Sequence, residues 1–425
     1  MDNTSLLNLF SIKDKRIVIK DVSKIKESNK SINIIYADLL YIPKCCYKCK
    51  STALKSHGID TIKVQLSNIS NTKAIMYLNK RRCKCNSCNT VFSVNCKDVK
   101  KHSRKSKQVI TAITHDLITT TNSMTEIAKR YNVSISTVKR VLEINKKTIK
   151  VNKQILPKVL CIDENAGIKT YKGKYNCVIQ NGETGTIKDY IFTRRKNDLI
   201  KYFKTYTFQA RNDVQFFVTD MWDSYIDIAK KYFKNSIIVL DRFHIIALAY
   251  RLITDLRVNL MNSYRKDSLE YRVLKKFNKK LVKKYKNLST EYVSYKYYPM
   301  FHNEFDILNF MLNLDEDLKK AYYILQDLYF SIDSKDISYF RNLLKENDYK
   351  NIKNEKLKRC VKTLNKYRSY IENSIIYKYS NGKLEAANRI IKLLKRNACG
   401  YRNFENFRTR ILLIFNYIAK SKQLE

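Results

Sequence analysis

The 425-residue chain is short of the residues that interrupt helices, with 7 glycines and 3 prolines. Few flexible linkers are expected, and much of the chain should be helical. Acidic residues are scarce too: 39 Asp and Glu stand against 83 Lys and Arg, a net charge of +44. Self-repulsion on that scale opposes compaction unless a polyanion neutralises it. Nucleic acid is the first expectation for that partner and an anionic membrane surface the second. Part of the lysine excess has another source, because Lys, Ile, Asn and Tyr are abundant together, as in AT-rich coding. No apolar run is long enough to cross a bilayer. The best candidate, Ile411–Ile418, is short and contains Asn416. The first twenty residues lack a clean apolar core and a small-residue cleavage site, so no export signal is read. A cytoplasmic, nucleoid-associated protein is expected, with no membrane partner.

Hydrophobic residues make up 44% and aromatics 12%, which suffices for a substantial core and argues against wholesale disorder. The length suggests roughly two to four domains. Residues 1–42 carry no readable chemistry, although alternation at Ile17, Ile19 and Val22 fits a strand.

Seven of the 11 cysteines fall between residues 43 and 100. In a chain without an export signal they read as thiols or metal ligands rather than disulfides. Cys46-x2-Cys49 and Cys85-x2-Cys88 are two knuckles that can place four thiolates tetrahedrally around one structural Zn²⁺. Cys45, Cys83, Cys96 and His57 are alternative ligands. Thr61–Ser67 and Lys73–Leu78, between the pairs, read as strands of a small β-structure. Arg81 and Arg82 beside the second knuckle would touch phosphate.

Residues 101–156 read as a helix-turn-helix DNA-binding domain. After a helix over Lys107–Thr119, Ile127 and Ala128 pack a second helix and Tyr131-Asn-Val133 makes the turn. Ser134 caps a third helix whose Val138, Val141 and Leu142 face inward. Ser134 at its start, and Ser136, Thr137, Lys139 and Arg140 on its outward side, are the residues left for bases and phosphates. An ordinary helical hairpin is the plainer alternative.

After Pro157 the period changes from helix to strand. Val159–Ile162, Tyr175–Gln180, Ile187–Phe192, Val214–Thr219 and Ile237–Leu240 are strand candidates, with Asn197–Thr205, Trp222–Phe233 and Asp241–Met261 as helices. The order βββαβαβ followed by helix is that of a ribonuclease-H-like core with a mixed five-stranded sheet. In that topology the first and fourth strands are neighbours. Asp163 and Asp220, which end them, would then meet at one sheet edge. Each also has a plain explanation, since Asp at a strand end commonly caps a turn or helix, and Asp220 could cap Trp222–Phe233. Glu164, Asp223, Asp241 and His244 are decoys or helpers nearby.

The core's first part spans 157–262, a large all-α insertion follows over 263–379, and residues 380–425 return to the core. In Ser380–Phe404, Asn381-Gly382 signals a turn, and Leu384, Ala387, Ile391 and Leu394 form one helix face. Glu385, Asn388, Arg389 and Lys392 share a neighbouring face, where one carboxylate sits among amides and cations. That mixture suits a metal ion beside a phosphate backbone, or simply a solvated polar face.

With these pieces in place, the chain resembles the bacterial DDE transposases of the ISL-three insertion-sequence family. The resemblance rests on the paired knuckles preceded by Arg81-Arg82, the helix-turn-helix, Ile162-Asp163-Glu164 and Val218-Thr-Asp-Met-Trp-Asp-Ser-Tyr225. It continues through Leu240-Asp-Arg-Phe-His244, Ser380-Asn-Gly-Lys-Leu-Glu385-Ala-Ala-Asn388 and Gly400-Tyr-Arg-Asn-Phe404. Asn165-Ala166 departs from it where relatives often carry an aromatic and a hydroxyl residue, and Cys83 is an extra thiol in the second knuckle. The resemblance implies a catalytic triad of Asp163, Asp220 and Glu385 behind a zinc-binding module. Three carboxylates suit two Mg²⁺ (or Mn²⁺) ions roughly 4 Å apart, which serve phosphodiester cleavage and strand transfer. Asp163 would bridge the ions, and Asp220 and Glu385 would each hold one. The expected partners are double-stranded DNA, as terminal inverted repeats and as target, and further copies of the chain. Asn388, Arg389 and Lys392 would hold DNA beside the metals. The knuckles and helix-turn-helix alone would also suit a non-catalytic regulator or an inactive relative. The same core could serve a nuclease that cuts without joining.

Overall fold

The computed structural model describes residues 2–27, 30–69, 72–149, 151–168, 173–398 and 401–421. Gly400 of the C-terminal motif lies outside them. The chain divides into two compact units, residues 1–150 with 390–425, and residues 151–389.

In the first unit, α1 (Asn3–Leu9), capped by Asp2, precedes β1 (Ile17–Glu27) and β2 (Lys30–Leu39). Then come β3 (Leu54–Ile69), β4 (Thr72–Cys85) and β5 (Val91–Ser93). The sheet order is β1-β2-β4-β3, with β5 also paired to β4, and only β2 and β4 run parallel. The alternation at Ile17 and Ile19 belongs to β1, whose inward residues join Ile35, Val64, Leu66, Met76 and Leu78 in one core. The otherwise unreadable N-terminal residues thus supply a hairpin to the sheet that carries the knuckles. The two strands expected between the knuckles are present and longer. Lysines and arginines along β3 and β4 break their alternation in the sequence, but sheet pairing keeps them extended.

Three helices follow: α2 (Lys107–Ile118), α3 (Met124–Arg130) and α4 (Ile135–Thr148). Ser123 and Glu126 form a reciprocal capping box at the start of α3, and Ser134 caps α4. Asn132 turns the chain at φ 49°. Val109, Ile113, Leu117, Ile127, Ala128, Val138, Val141 and Leu142 form their shared core. Strand β3 is stitched to this bundle, because Gln65 Nε2 donates to the carbonyl of Tyr131 at 2.7 Å and Asn68 Nδ2 to that of Arg130 at 2.7 Å.

The second unit is built on β6 (Val159–Asn165), β7 (Asn176–Asn181), β8 (Ile187–Ile191), β9 (Phe216–Thr219) and β10 (Ile237–Leu240). Helices α5 (Lys196–Lys204), α6 (Phe208–Asn212) and α7 (Asp223–Tyr232) lie between the later strands in the chain, and α8 (Arg242–Ser263) follows β10. The sheet is mixed, in the order β10-β9-β6-β7-β8, with β6, β9 and β10 parallel and β6, β7 and β8 antiparallel. Helices α9 (Leu269–Lys276), α10 (Glu304–Asn313), α11 (Glu316–Ser334), α12 (Ile337–Glu346), α13 (Glu355–Lys366) and α14 (Arg368–Ile376) come next. One continuous apolar core runs from Leu160 and Phe217 in the sheet to Leu325 and Leu364 in these helices. Most of the tyrosines and phenylalanines there that are buried pack into it. The Ser374 hydroxyl accepts from the Leu240 amide at 2.8 Å and so ties α14 to β10. Finally, α15 (Gly382–Asn397) spans the division between the units, and α16 (Phe404–Ser421) belongs to the first.

Arg410 of α16 is wholly buried. Among the described residues it has no carboxylate partner; its guanidinium donates to the carbonyls of Leu117 (3.0 Å), Thr119 (2.9 Å) and Asn122 (2.5 Å), and to the Tyr401 hydroxyl (2.9 Å). These carbonyls lie at and just beyond the C-terminal end of α2, where helix acceptors lack partners and a positive charge is favoured. Replacing Arg410 with Leu strands one buried and two part-buried acceptors, at a cost of about 1–3 kcal/mol for each that water does not reach. Arg410→Leu is therefore expected to destabilise the first unit by about 3 kcal/mol or more in urea unfolding; a loss under about 1 kcal/mol would contradict this role.

Candidate functional site

β6 and β9 lie side by side; Asp220 follows the last residue of β9 as expected, but β6 runs on to Asn165, so Asp163 lies within its strand rather than at its end. Cys161 pairs with Val218 in parallel register, and carrying that register two residues on sets Asp163 level with Asp220. The helix-cap explanation of Asp220 does not hold, because α7 is capped at Trp222 without a side-chain bond. Instead, Asp220 Oδ1 accepts from the Thr219 hydroxyl at 3.4 Å. Both acids are half-buried. Burial, reinforced by the carboxylates of Asp220, Glu164 and Asp241, pushes the Asp163 carboxyl up to about 7, against the opposing pull of the Glu164 amide. Burial also raises Asp220; His244 opposes the rise and Glu164 adds to it.

The third acid arrives on α15. Asn388, one turn after Glu385, donates through Nδ2 to Asp163 Oδ2 at 2.9 Å, and its Oδ1 accepts from Asn165 Nδ2 at 2.9 Å. At the start of the helix, the Asn381 amide donates to Asp241 Oδ1 at 3.4 Å, and its Nδ2 to the Ile162 carbonyl at 3.4 Å. These bonds fasten the first turns of α15 to β6, and Glu385 lies half-buried between the two anchoring residues. Among the described residues, oxygens of Asp163, Asp220 and Glu385 do not all lie within 4.8 Å of one another.

Beside Asp220 opens a cavity of about 300 Å³ whose lining includes Glu164, Arg194, Trp222, His244 and Arg251. Arg194 pairs with Glu164, and its guanidinium lies 4.5 Å from the Tyr175 ring centre and 5.2 Å from that of Trp222. His244 sits at the cavity, and Glu164 is a member of the charged cluster. Asp223 faces elsewhere, bound to Lys366 Nζ at 2.6 Å and the Tyr367 hydroxyl at 2.7 Å. Asp241 occupies the N-cap position of α8 but makes no capping bond with its side chain. Among the described residues, Asp241 Oδ2, Asn165 Oδ1 and Asn381 Oδ1 are buried acceptors that no donor reaches. A surplus of acceptor oxygen around half-buried acids is a donor set that suits a hard cation. Arg194 and Arg251 escaped the sequence reading, since no spacing ties them to the acids. Asn165 was visible there only as a departure from the family pattern.

In the first unit, Cys46, Cys49, Cys85 and Cys88 bring their sulfurs within 4.8 Å of one another, so this group can hold a metal ion. Cys46 and Cys88 sulfurs are 3.7 Å apart, and those of Cys49 and Cys85 3.5 Å. A tetrahedron of about 2.3 Å zinc–sulfur bonds has edges of about 3.8 Å, so the donor set fits that ion. The knuckles share one backbone form. The Cys46 amide donates to Ser51 (2.8 Å) and the Cys85 amide to Thr90 (3.0 Å). Lys50 and Asn89, after the second cysteine of each, take φ 65° and 53°. The Thr90 hydroxyl and amide lower the Cys88 thiol to about 6. Cys45, Cys83, Cys96 and His57 are not in the group; Cys83 is buried in β4 and Cys96 in the core beneath it.

Of the residues expected to meet DNA, Ser134, Ser136, Lys139 and Arg140 are exposed on α4, Arg81 and Arg82 on β4, and Arg389 and Lys392 on α15. Two expectations need correction. Thr137 is buried rather than outward, its hydroxyl 3.0 Å from Ser134 Oγ, because the first turn of α4 curls over its own cap. Asn388 is buried too, and its amide is used on Asp163 and Asn165 rather than left for DNA.

Residues 160–411 match the profile of the ISL-three DDE family, described as a transposase, which covers more than half of the chain. A protein of Lactococcus lactis subsp. lactis named ATP-dependent protease is 36% identical over 119 residues, 27% of this chain and 37% of that protein. The match thus spans little more than a third of that relative. No Gly-x4-Gly-Lys-Ser/Thr phosphate loop occurs in the sequence.

Asp163 gives a pH prediction. In the unfolded chain it ionises near 3.8, whereas in the folded, metal-free protein it keeps its proton up to about 7. Between those values the folded state holds the extra proton, so stability falls as pH rises, by at most about 4 kcal/mol. Asp163→Asn cannot ionise. It is expected to raise the melting temperature of the metal-free protein above pH 7 and to change it little below pH 3.8. Equal melting temperatures above pH 7 would show that the site does not strain this carboxylate.

Proposed function

Because the chain belongs to the ISL-three family of DDE transposases, we propose that it is the transposase of an insertion sequence, binding the element's terminal inverted repeats and cutting and joining DNA. The second unit is read as a ribonuclease-H-like core. Counted within its sheet, the strands run 5-4-1-2-3 and the first lies parallel to the fourth, which supports that reading. The observation that carries the function is the level placement of Asp163 and Asp220 at one sheet edge, with α15 fastened to Asp163 by Asn388.

Asp163, Asp220 and Glu385 are the residues that would hold Mg²⁺ or Mn²⁺. Two such ions, when bound, supply positive charge to activate an attacking hydroxyl and to stabilise the leaving 3′ oxygen. The chain's own groups prepare this edge. Asn388 and the Glu164 amide each take one oxygen of Asp163 and fix the carboxylate's orientation. Arg194, held by Glu164 between Tyr175 and Trp222, brings a cation into the cavity next to Asp220, where a phosphate of the scissile strand can be held. Water attacks the first phosphodiester, and the freed 3′-hydroxyl then attacks target DNA, so no serine or tyrosine nucleophile is required. Ser134, Ser136, Lys139 and Arg140 face the end sequence, with Arg81 and Arg82 on the backbone, while Zn²⁺ on the four cysteines fixes the fold of the module. Two ends have to be brought together, so at least two copies act on the DNA, which places the protein with the nucleoid.

The test uses purified protein, Mg²⁺ and a duplex containing the inverted repeat found beside the gene. Nicking at the element boundary followed by joining is expected. Asp163→Asn, Asp220→Asn and Glu385→Gln should each bind the duplex with unchanged affinity and cut it at least about a hundredfold more slowly. A native protein that binds ends without ever nicking them would be a regulator. Cutting without joining would make it a nuclease. For the cysteine group, native mass spectrometry should find about one zinc per chain, and Cys85→Ser should lose it.

A further inference from the structure

The segment Lys100–Lys107, KKHSRKSK, has no part in the function described so far. It connects the β-sheet of the first unit to α2 and is not free-standing. Its residues bridge to β3: the Gln65 amide donates to the Arg104 carbonyl at 2.9 Å, and the Ser106 amide to the Gln65 carbonyl at 2.9 Å. The side chain of that same Gln65 reaches the turn between α3 and α4 at Tyr131. One residue therefore fixes both the basic segment and the helix-turn-helix turn.

Between the segment and α4 lies a cavity of about 610 Å³. Ile110, Val141 and Ile144 contribute its apolar wall, and Lys101, Arg104, Lys105, Lys107 and Arg140 line it as well. No acidic residue does. Among the described residues no carboxylate forms an ion pair with Lys105, Arg140 or Lys73. Lys105 is half-buried, and its pKa is lowered, first by burial and then by Arg140 and Lys73. Three cations on three different elements are thus held close together against their mutual repulsion. Like charges this close, one of them half-buried, favour the arrival of a counter-charge from outside.

We propose that Lys100–Lys107 and the adjoining face of α4 form a clamp for the sugar-phosphate backbone of duplex DNA, with Lys105 and Arg140 gripping one phosphate from two sides. The clamp rests on the proposed reading that α4 meets DNA, and adds a second contact rigidly coupled to it through Gln65. Contacts to phosphate position a protein without reading sequence. The clamp therefore sets the register of α4 on the duplex and contributes affinity that is equal for all sequences.

The experiment measures binding of the full-length protein, by fluorescence anisotropy across a salt series, to a duplex carrying the inverted repeat and to a scrambled duplex. Wild type is compared with the triple variant Lys101→Gln, Arg104→Gln, Lys105→Gln and with Lys105→Arg, after unfolding midpoints have confirmed intact folds. The triple variant should lose on the order of tenfold or more in affinity for both duplexes alike. The slope of log K against log salt should flatten by about 2 to 3, near 0.9 for each phosphate contact removed. Lys105→Arg should keep the wild-type slope. If wild type binds neither duplex, the DNA reading itself fails and the clamp with it. If wild type binds and the triple variant binds with the same affinity and slope, the clamp alone is overturned. A loss confined to the inverted-repeat duplex also overturns it, because the segment would then be reading bases.

Discussion

The acidic edge depends on two asparagines that hold a late helix against an early strand. Glu385 lies on α15 and Asp163 within β6, far apart in the chain. Asn388 fixes their relation from one side, bonded to Asp163 and Asn165, and Asn381 does so at the helix start, bonded to Asp241 and the Ile162 carbonyl. An apolar contact in their place could slide by a rotamer. Amide hydrogen bonds fix both distance and direction, which is what the proposed three-carboxylate metal site would require of its parts. Asn388 has a further effect, since it donates to a carboxylate that burial disfavours as an anion. It thereby favours the ionised form that a divalent ion needs, without adding a competing positive charge.

That edge is the reverse of the rest of the molecule. The chain carries +44, yet at this edge burial raises the Asp163 pKa and the carboxylates of Asp220, Glu164 and Asp241 add to the rise. Of the abundant cations, Arg194 is paired into this cluster by Glu164, its approach limited by the flanking rings of Tyr175 and Trp222. A lysine bonded to Asp163 itself would quench the site. Elsewhere carboxylates are used structurally: Asp223 is tied to Lys366 and Tyr367, and Glu304 binds both Lys280 and Lys283. Sparse acids are thus divided between cross-links with lysine and a site where they are kept from lysine.

Much of this was legible in the sequence because it is local or periodic. The knuckle spacing, the Ser134 cap, the inward Val138, Val141 and Leu142, and the five strand segments of the second unit each follow from a few neighbouring residues. The level placement of Asp163 and Asp220 followed from strand order alone. What escaped depends on contacts across long sequence separations. Nothing local marks Arg410 as a buried ligand of the carbonyls at the end of α2, because a lone arginine in a helix usually faces water. Asn388 read as a polar surface residue because helical spacing gives its angle around the axis but not what packs there. Thr137 failed for a different reason: at the first turn of a helix, the outward side of a wheel can still be covered by the cap. Strand β1 was readable from Ile17, Ile19 and Val22, but its partner β2 was not, because the strand β4 that it pairs with lies further along the chain.

On the proposed reading the chain must bind two kinds of metal ion without exchanging them, and its donor atoms sort the ions unaided. Sulfur separations of 3.7 Å (Cys46–Cys88) and 3.5 Å (Cys49–Cys85) match the edges of zinc's tetrahedron, and thiolates are soft ligands that magnesium does not take. The three acids offer oxygen only, and among the described residues their oxygens do not all lie within 4.8 Å of one another. Such a spread disfavours capture of one small tetrahedral ion and leaves coordination positions for water and phosphate, as a magnesium site keeps them. Softness separates the ions at one site and spacing does so at the other. The knuckles can therefore be rigid and closed, each shaped by a left-handed residue after its second cysteine, while the acidic edge stays open to a substrate.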